Sequence, residues 1–364
     1  MKRILFISNG FGPGGAERQC VQLFDMLIDR GYHVDVLTFE DIPDHYPLPL
    51  KVKRVRLAQN KALWRKLLSV ELHLLFAKAD VIFAYSQRMS VLTLFPMLFR
   101  PDIKVISSER NFTIDSPTIF EKILFKTKVY KRADYIVPNS YSQGRYLSKK
   151  MPSLTKKIKV ITNYTQLDSY KYKPVEIHGD IKIGLFCRLE KQKNFHGFIK
   201  MLSILIPRIK KEIHVDWYGA NTFASDAQKR YYEEGVKMIR EYGLDDILTI
   251  KGVTNDVPEL IPKYDVLCLP SFKEGFSNSI SEYICCGRPV LCSDVSDNSM
   301  MVHNGENGFL FNPHDIESMT SAFERYINTT EEVKKDMCLK SRAIAEDLFD
   351  KNRFIDSYVE LIEK

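Results

Sequence analysis

The chain has 364 residues, 45% of them hydrophobic and 27% charged, a profile that fits a globular protein of two ordinary domains and excludes a disordered or fibrous one. Its net charge of +7 is uneven: residues 1–170 hold 27 Lys and Arg against 15 Asp and Glu (+12), and residues 171–364 hold 26 against 31 (−5). A basic half directs attention to anionic partners, with a merely solvated basic surface as the alternative.

Residues 3–8 (RILFIS) form a short apolar run, followed by a Gly-rich loop, a helical pattern over 16–29 and a second apolar run over 33–39. That order predicts strand, loop, helix, strand. The N-terminus lacks the long apolar region and cleavage site of a signal peptide, so none is expected. Further strands are expected at 81–84, 105–107, 135–138 and 159–161, alternating with helices, as in a parallel sheet covered on both faces. Residues 163–179, polar and aromatic, form the expected linker. A second alternating series follows at 181–187, 213–218, 248–251, 266–270 and 289–292. The fold class is therefore α/β, with two doubly wound halves over residues 1–165 and 166–364. Ligands of such sheets bind outside the carboxyl ends of the strands, so the halves are expected to face one another across a cleft. No apolar stretch reaches the roughly 18 residues that a spanning helix needs. The seven cysteines show no C-x-x-C spacing and read as small buried apolar side chains in a reducing cytoplasm, not as disulfides or a zinc site.

Three segments carry chemistry. The loop Gly10-Phe11-Gly12-Pro13-Gly14-Gly15 fits G-x-G-x-x-G after a first strand, with Glu40 placed where a ribose-binding acid would stand. Alone it suggests an NAD-dependent oxidoreductase or a nucleotide-sugar epimerase, although Pro13 removes one backbone donor from the phosphate cradle. In the second half, Arg188-Leu189-Glu190-Lys191-Gln192-Lys193-Asn194 sets two cations five residues apart at a strand-to-helix junction. Further on, Glu274-Gly275-Phe276-Ser277-Asn278-Ser279-Ile280-Ser281-Glu282 spaces two glutamates around small residues that open a helix. The free N–H groups of that helix would point at a phosphate or sugar oxygen. Glu274 falls in the loop before the helix and Glu282 about one turn inside it. Two separated acceptor carboxylates suit a ligand with hydroxyls at both ends.

With Gly14-Gly15-Ala16-Glu17-Arg18 at the start and Asn304-Gly305-Glu306-Asn307-Gly308-Phe309-Leu310 near the end, these segments resemble the retaining glycosyltransferases of family 4, marked by an E-x7-E motif. The resemblance implies the GT-B fold: an acceptor-binding Rossmann-like domain, a nucleotide-sugar-binding one, and a last helix that packs back on the first. It implies a hexosyltransferase that uses a nucleotide-diphosphate sugar, with uridine the expected base, since it serves most such donors, and guanosine the alternative. Arg188 and Lys193 would bind the diphosphate and stabilise the departing charge, Glu282 would hold the ribose, and Glu274 the transferred sugar. Gly275, Phe276, Ser277, Asn278 and Ser279 would contact phosphate or sugar, Gly14 and Gly15 would meet the diphosphate, and Val253 the base. The sequence holds no D-x-D triplet, so no metal or other cofactor is expected. Where many relatives carry an acceptor-side histidine, this chain reads Ser107-Ser108-Glu109-Arg110-Asn111. Either Glu109 and Asn111 fill that role, or Glu109 pairs with Arg110 as a structural feature. The expected acceptor is lipid-linked or saccharide, in cell-surface glycan assembly, with no nucleic-acid partner. Two basic, apolar stretches, 61–68 (KALWRKLL) and 119–132 (IFEKILFKTKVYKR), are candidates for lying on an anionic membrane at its cytoplasmic face, the alternative being helices that simply cover the sheet.

Overall fold

The computed structural model describes residues 1–12, 14–40, 42–56, 63–110, 118–174, 179–219, 223 and 225–364, in two compact units. The first is Met1–Tyr164 with Lys351–Lys364, the second Thr165–Asp350.

In chain order the first unit contains β1 (Arg3–Ser8), α1 (Gly15–Asp29), β2 (His33–Thr38), β3 (Lys53–Arg56), α2 (Leu63–Leu75), β4 (Val81–Tyr85), α3 (Gln87–Leu94), β5 (Lys104–Glu109), α4 (Ile119–Thr127), β6 (Tyr135–Pro138) and α5 (Tyr141–Lys150). The strands run parallel in the order β3-β2-β1-β4-β5-β6. Nearly every side chain of β1, β4 and β5 is buried, because helices cover both faces, and this is why those strands read as unbroken apolar runs. β3 escaped the sequence reading because KRVR is an exposed edge strand with no apolar run. The expected strand at 159–161 does not form. Lys159 and Ile161 donate their amides to Ile136 and Pro138 at 2.9 and 3.1 Å, and the segment adds only an isolated bridge, Ile136 to Ile158, beside β6.

The second unit contains β7 (Ile181–Phe186), α6 (Phe195–Leu205), β8 (Ile213–Tyr218), α7 (Asp226–Glu241), β9 (Leu248–Gly252), α8 (Val257–Leu260), β10 (Val266–Leu269), α9 (Asn278–Cys285), β11 (Val290–Ser293), β12 (Gly308–Phe311), α10 (Ile316–Asn328) and α11 (Glu331–Leu348). Its order, β12-β11-β10-β7-β8-β9, repeats the arrangement of the first sheet and switches direction between β10 and β7. β12, where the trailing Asn-Gly-rich motif lies, comes so close to its neighbour that a Cβ on Gly308 would stand 1.9 Å from the Val290 carbonyl oxygen. All seven cysteines are buried and none is joined in a disulfide, as their apolar surroundings in sequence imply.

The final helix, α12 (Lys351–Glu363), belongs to the first unit. Tyr358 and Ile362 are buried, and Phe354 stacks on Tyr164 at 5.1 Å. Lys2 and Lys104 each donate to the Ile362 carbonyl at 3.0 Å, which satisfies the exposed carbonyl end of the helix with positive charge. Among the described residues no helix is long and apolar enough to cross a membrane.

A buried polar cluster underlies the carboxyl end of β5. Glu109 is fully enclosed; Tyr130 donates to its Oε1 at 2.6 Å and Ser107 at 3.2 Å. Burial outweighs these bonds and raises the carboxyl to about 7. The Arg110 guanidinium goes to the Ser108 and Tyr358 hydroxyls at 2.9 and 2.7 Å and lies 4.6 Å over the Tyr85 ring. Glu109 thus rests on hydroxyls rather than on its neighbour, which alternation of side chains along a strand places on the other face. Asn111 lies outside the described residues.

The Glu109 carboxyl keeps its proton to about pH 7 when folded, whereas an ordinary glutamate loses it near 4.5. Between those values the native state binds more protons, so this group's contribution to stability falls as pH rises through the window, by about 3 kcal/mol in all, and levels off above it. Glu109→Gln removes that fall. In urea denaturation at about pH 5 and about pH 8, wild type should lose stability relative to the variant on going to the higher pH; parallel pH profiles would contradict the buried neutral carboxyl.

Candidate active site

The carboxyl ends of β7 and β10, the two strands at the switch point of the second sheet, carry the residues singled out in the sequence. After β7 the chain passes through Cys187 and Arg188 into a single tight turn, Lys191–Lys193. Asn194, buried and left-handed at φ 57°, then redirects it into α6, its side-chain amide donating to the Pro313 carbonyl at 3.2 Å. Asparagine tolerates this conformation because its short polar side chain bonds locally. The turn aims Lys193 inward and leaves Arg188 outward, 65% exposed along its side chain and paired with Glu190 at 2.9 Å.

After β10 the loop 270–277 runs past that turn and caps α9. Lys193 and Glu274 meet at 2.5 Å with side chains only 12% and 10% exposed. Burial is the largest influence on the Lys193 ammonium and lowers its basicity, but the Glu274 charge, Cys187 and the hydrogen bond to Glu274 together overcome it and hold the pKa above the ordinary lysine value. Arg188 lies within electrostatic reach and opposes that rise. Two positive charges and two carboxylates therefore gather at this strand end, each cation already carrying a partner. The Cys187 thiol beside them is pushed up to about 12 by burial and is unsuited to act as a nucleophile.

The α9 N-terminus is built as its sequence suggests. Ser277 is the capping residue, its Oγ accepting from the Ile280 amide at 3.4 Å. Ser279 Oγ donates to the Phe186 carbonyl at 2.9 Å, and the Tyr283 hydroxyl accepts from the Phe186 amide at 2.9 Å, so the helix is bolted to the end of β7. Gly275 sits in the turn between Glu274 and Phe276, whose ring is buried and meets Phe349 edge-on at 6.3 Å. Asn278 opens the helix and Glu282 lies just past its first turn, nearly buried. Val253 directly follows β9 and is exposed.

In the first unit Gly14 is the N-terminal flank of α1 and Gly15 its first residue. The Gly14 amide donates to the Gly12 carbonyl at 2.8 Å; Pro13 lies outside the described residues. Glu40 pairs with Arg88 at 2.5 Å, whose guanidinium also lies 4.5 Å over the Phe39 ring.

Three positioning residues were missed in the sequence. Gln192 joins the two loops, accepting from the Phe272 amide at 2.9 Å and donating its side-chain amide to the Lys273 carbonyl at 3.0 Å. Ser296, left-handed at φ 54°, donates to the Glu274 carbonyl at 2.5 Å. Gly219 follows β8 so closely that a Cβ there would lie 2.2 Å from the Cys187 carbonyl oxygen. A glycine immediately after a strand was the one available signal; the other two act through partners distant in sequence.

Residues 13–168 match the model for Glycosyltransferase Family 4, and residues 169–343 match that for Glycosyl transferases group 1. A galactosyltransferase of Escherichia coli, which acts from UDP-Gal on alpha-D-GlcNAc-diphosphoundecaprenol, is 30% identical over 183 residues, 46% of this chain and 45% of the relative. The match thus spans about half the length of that protein. An uncharacterized glycosyltransferase of Haemophilus influenzae is 24% identical over 95% of this chain and 96% of its own. The crystal structure of Anabaena HepE with UDP and glucose superposes with a TM-score of 0.80 at 22% identity, covering 99% of both chains. Two glycosyltransferase models that meet end to end over residues 13–343, on two six-stranded sheets of Rossmann order, place the chain in the GT-B glycosyltransferase family.

Proposed function

We propose that the chain is an anomer-retaining, metal-independent hexosyltransferase that moves a sugar from a UDP-sugar to a lipid-linked or polysaccharide acceptor in cell-surface glycan biosynthesis. It works from the cytoplasmic face of a membrane to which it attaches peripherally. The observation that carries this proposal is the buried pair of Lys193 and Glu274 at the carboxyl end of the switch-point strands. A nucleotide-diphosphate sugar presents an anion beside a set of hydroxyls, the complement of an ammonium beside a carboxylate. In the unliganded protein each charge neutralises the other, so neither is buried alone. An entering diphosphate competes for Lys193 and draws on Arg188, and Glu274 is then released to accept from the sugar hydroxyls. The ribose falls to Glu282, the phosphate or sugar to the α9 N-terminus between Gly275 and Ser279, and the base to Val253, with Gly14 and Gly15 as further contacts for the diphosphate.

In the transfer, the bond from the anomeric carbon to the diphosphate oxygen breaks and its electron pair leaves with UDP. The acceptor hydroxyl oxygen forms the new bond on the same face, and its proton passes to the departing phosphate oxygen, so no protein nucleophile is required. The charge growing on the leaving group is met by Lys193 and Arg188, and fixed charges of this kind are usually the largest aid an enzyme gives. Support for uridine and for a lipid-linked acceptor comes from the UDP held by the Anabaena protein and the diphosphoundecaprenol acceptor of the Escherichia coli relative. Glu109, enclosed at the carboxyl end of β5, serves the acceptor side by fixing the strand end rather than by touching substrate.

Arg188→Ala and Lys193→Ala should each lower kcat by on the order of 100-fold, the usual loss for one fixed oxyanion donor; near wild-type turnover in either would contradict the leaving-group role. Glu282→Gln should weaken bare UDP, since ribose is common to donor and product, while Glu274→Gln should spare UDP and impair the sugar-bearing donor. Calorimetric titration of both ligands into both variants checks this, and equal losses throughout would refute the division. Sugar transfer should survive excess chelator, and an absolute requirement for added Mg²⁺ or Mn²⁺ would overturn metal independence.

A further inference from the structure

Of the two stretches with membrane-like composition, α4 is occupied by the fold. Leu124, Val129 and Tyr130 are buried in the core of the first unit, and the lysines 122, 126 and 128 face water. α2 behaves differently. Its inner face, Val70 and Leu74, is buried and covers the sheet, yet Trp64, Leu68 and Leu72 recur at intervals of four on the opposite face and are 60%, 48% and 47% exposed. A helix apolar on both faces has a second surface to satisfy. The exposed stripe continues past the helix end into Phe76 and across to Leu98 and Phe99. Arg100 fastens that neighbouring turn to α2 by donating to the Leu75 carbonyl at 2.5 Å. Six large apolar side chains are thus exposed on α2 and on the turn fastened to it, more than folding needs, and clustered exposed apolar side chains mark interaction surfaces.

Charge selects the partner. Arg65 lies 5.0 Å over the Trp64 ring, and Phe76 borders an open hollow of about 290 Å³ lined also by Arg3, Lys53, Lys78, His73 and Asp35. Asp35 answers one of those charges, at 3.7 Å from Arg3, and also lies 3.0 Å from the His33 ring, while Glu71 stands at the stripe's edge. Lys53 and Lys78 remain in the hollow, within a half of the chain at +12. We propose that the α2 stripe with Leu98 and Phe99 is the surface by which the protein lies on an anionic phospholipid bilayer, apolar side chains among the acyl ends and the basic hollow at the phosphate level. The proposal rests on the peripheral attachment inferred above and says where it occurs. Because α2 follows β3 and runs back to β4, Trp64 is at the carboxyl end of the sheet, the end at which ligands of such folds bind.

The chain has two tryptophans, and Trp217 is fully buried in the second unit, so a change in tryptophan emission on adding lipid reports Trp64. Full-length protein is mixed with phosphatidylglycerol or phosphatidylcholine vesicles and sedimented, with emission and quenching by brominated lipid read in parallel. The expected result is sedimentation with the anionic vesicles, a blue shift and quenching. Leu68→Ser/Leu72→Ser, which leaves the inner face of α2 intact, should keep its melting temperature and bind vesicles about tenfold more weakly. Sedimentation without a tryptophan change, or a double variant that binds as wild type, overturns this surface and leaves attachment standing elsewhere. No sedimentation overturns both. An emission maximum already blue without lipid, in a dimer by light scattering, assigns the stripe to a second copy of the chain and overturns the lipid surface.

Discussion

Lys193 and Glu274 lie 81 residues apart in sequence and 2.5 Å apart in space, and the carboxyl end of the second sheet is organised around that contact. Each ion brought into the interior alone would cost several kcal/mol; together, with good geometry, they offset that cost. The pair requires the turn after β7 and the loop after β10 to stand side by side, which Gln192 secures by bonding both ways across them. Ser296 fixes the carbonyl of Glu274, and Ser279 and Tyr283 anchor α9 to the last residue of β7. These bonds all serve one end, that of adjacent strands where the order of the sheet reverses, and it is the fold that supplies such a place twice.

The parts of this organisation that follow from local periodicity were legible in the sequence. Buried parallel strands are apolar on both faces, so β1, β4, β7 and β10 declared themselves, β8 showed by strict alternation, and the small residues before α9 announced a helix start whose cap is indeed Ser277. Edge strands obey a different rule, and β3 stayed hidden because charge and exposure suit it to an edge. Segment 159–161 misled for the converse reason: it is apolar because it lies against β6, though it makes too few ladder bonds to be a strand. The site residues were found by type and order. Their pairing was not, since nothing local in RLEKQKN indicates that one lysine turns inward to Glu274 while Arg188 remains outside with Glu190.

The basic half shows how composition underdetermines surface. Two stretches with similar mixtures of cations and large apolar residues take opposite roles, one buried beneath its lysines and one presenting its leucines to solvent. Which occurs depends on how many apolar faces the sheet must cover, a tertiary quantity. Glu109 is similar: a charged residue at a strand end suggests chemistry, yet burial against the Tyr130 and Ser107 hydroxyls lets it hold its proton up to about pH 7. The same physics, burial acting on an ionisable group, gives an ion pair in one unit and a protonated carboxyl in the other, according to whether an opposite charge is within reach.

The central claim is that the second unit grips a uridine diphosphate sugar through the cation of the buried pair. Thermal denaturation of wild type and Lys193→Ala with UDP, GDP, ADP or NAD⁺ in excess tests it most directly, because a ligand of the native state raises the melting temperature by mass action. The account predicts a rise with UDP in wild type that is lost in Lys193→Ala. Stabilisation by NAD⁺ alone, or by UDP equally in both proteins, would contradict it.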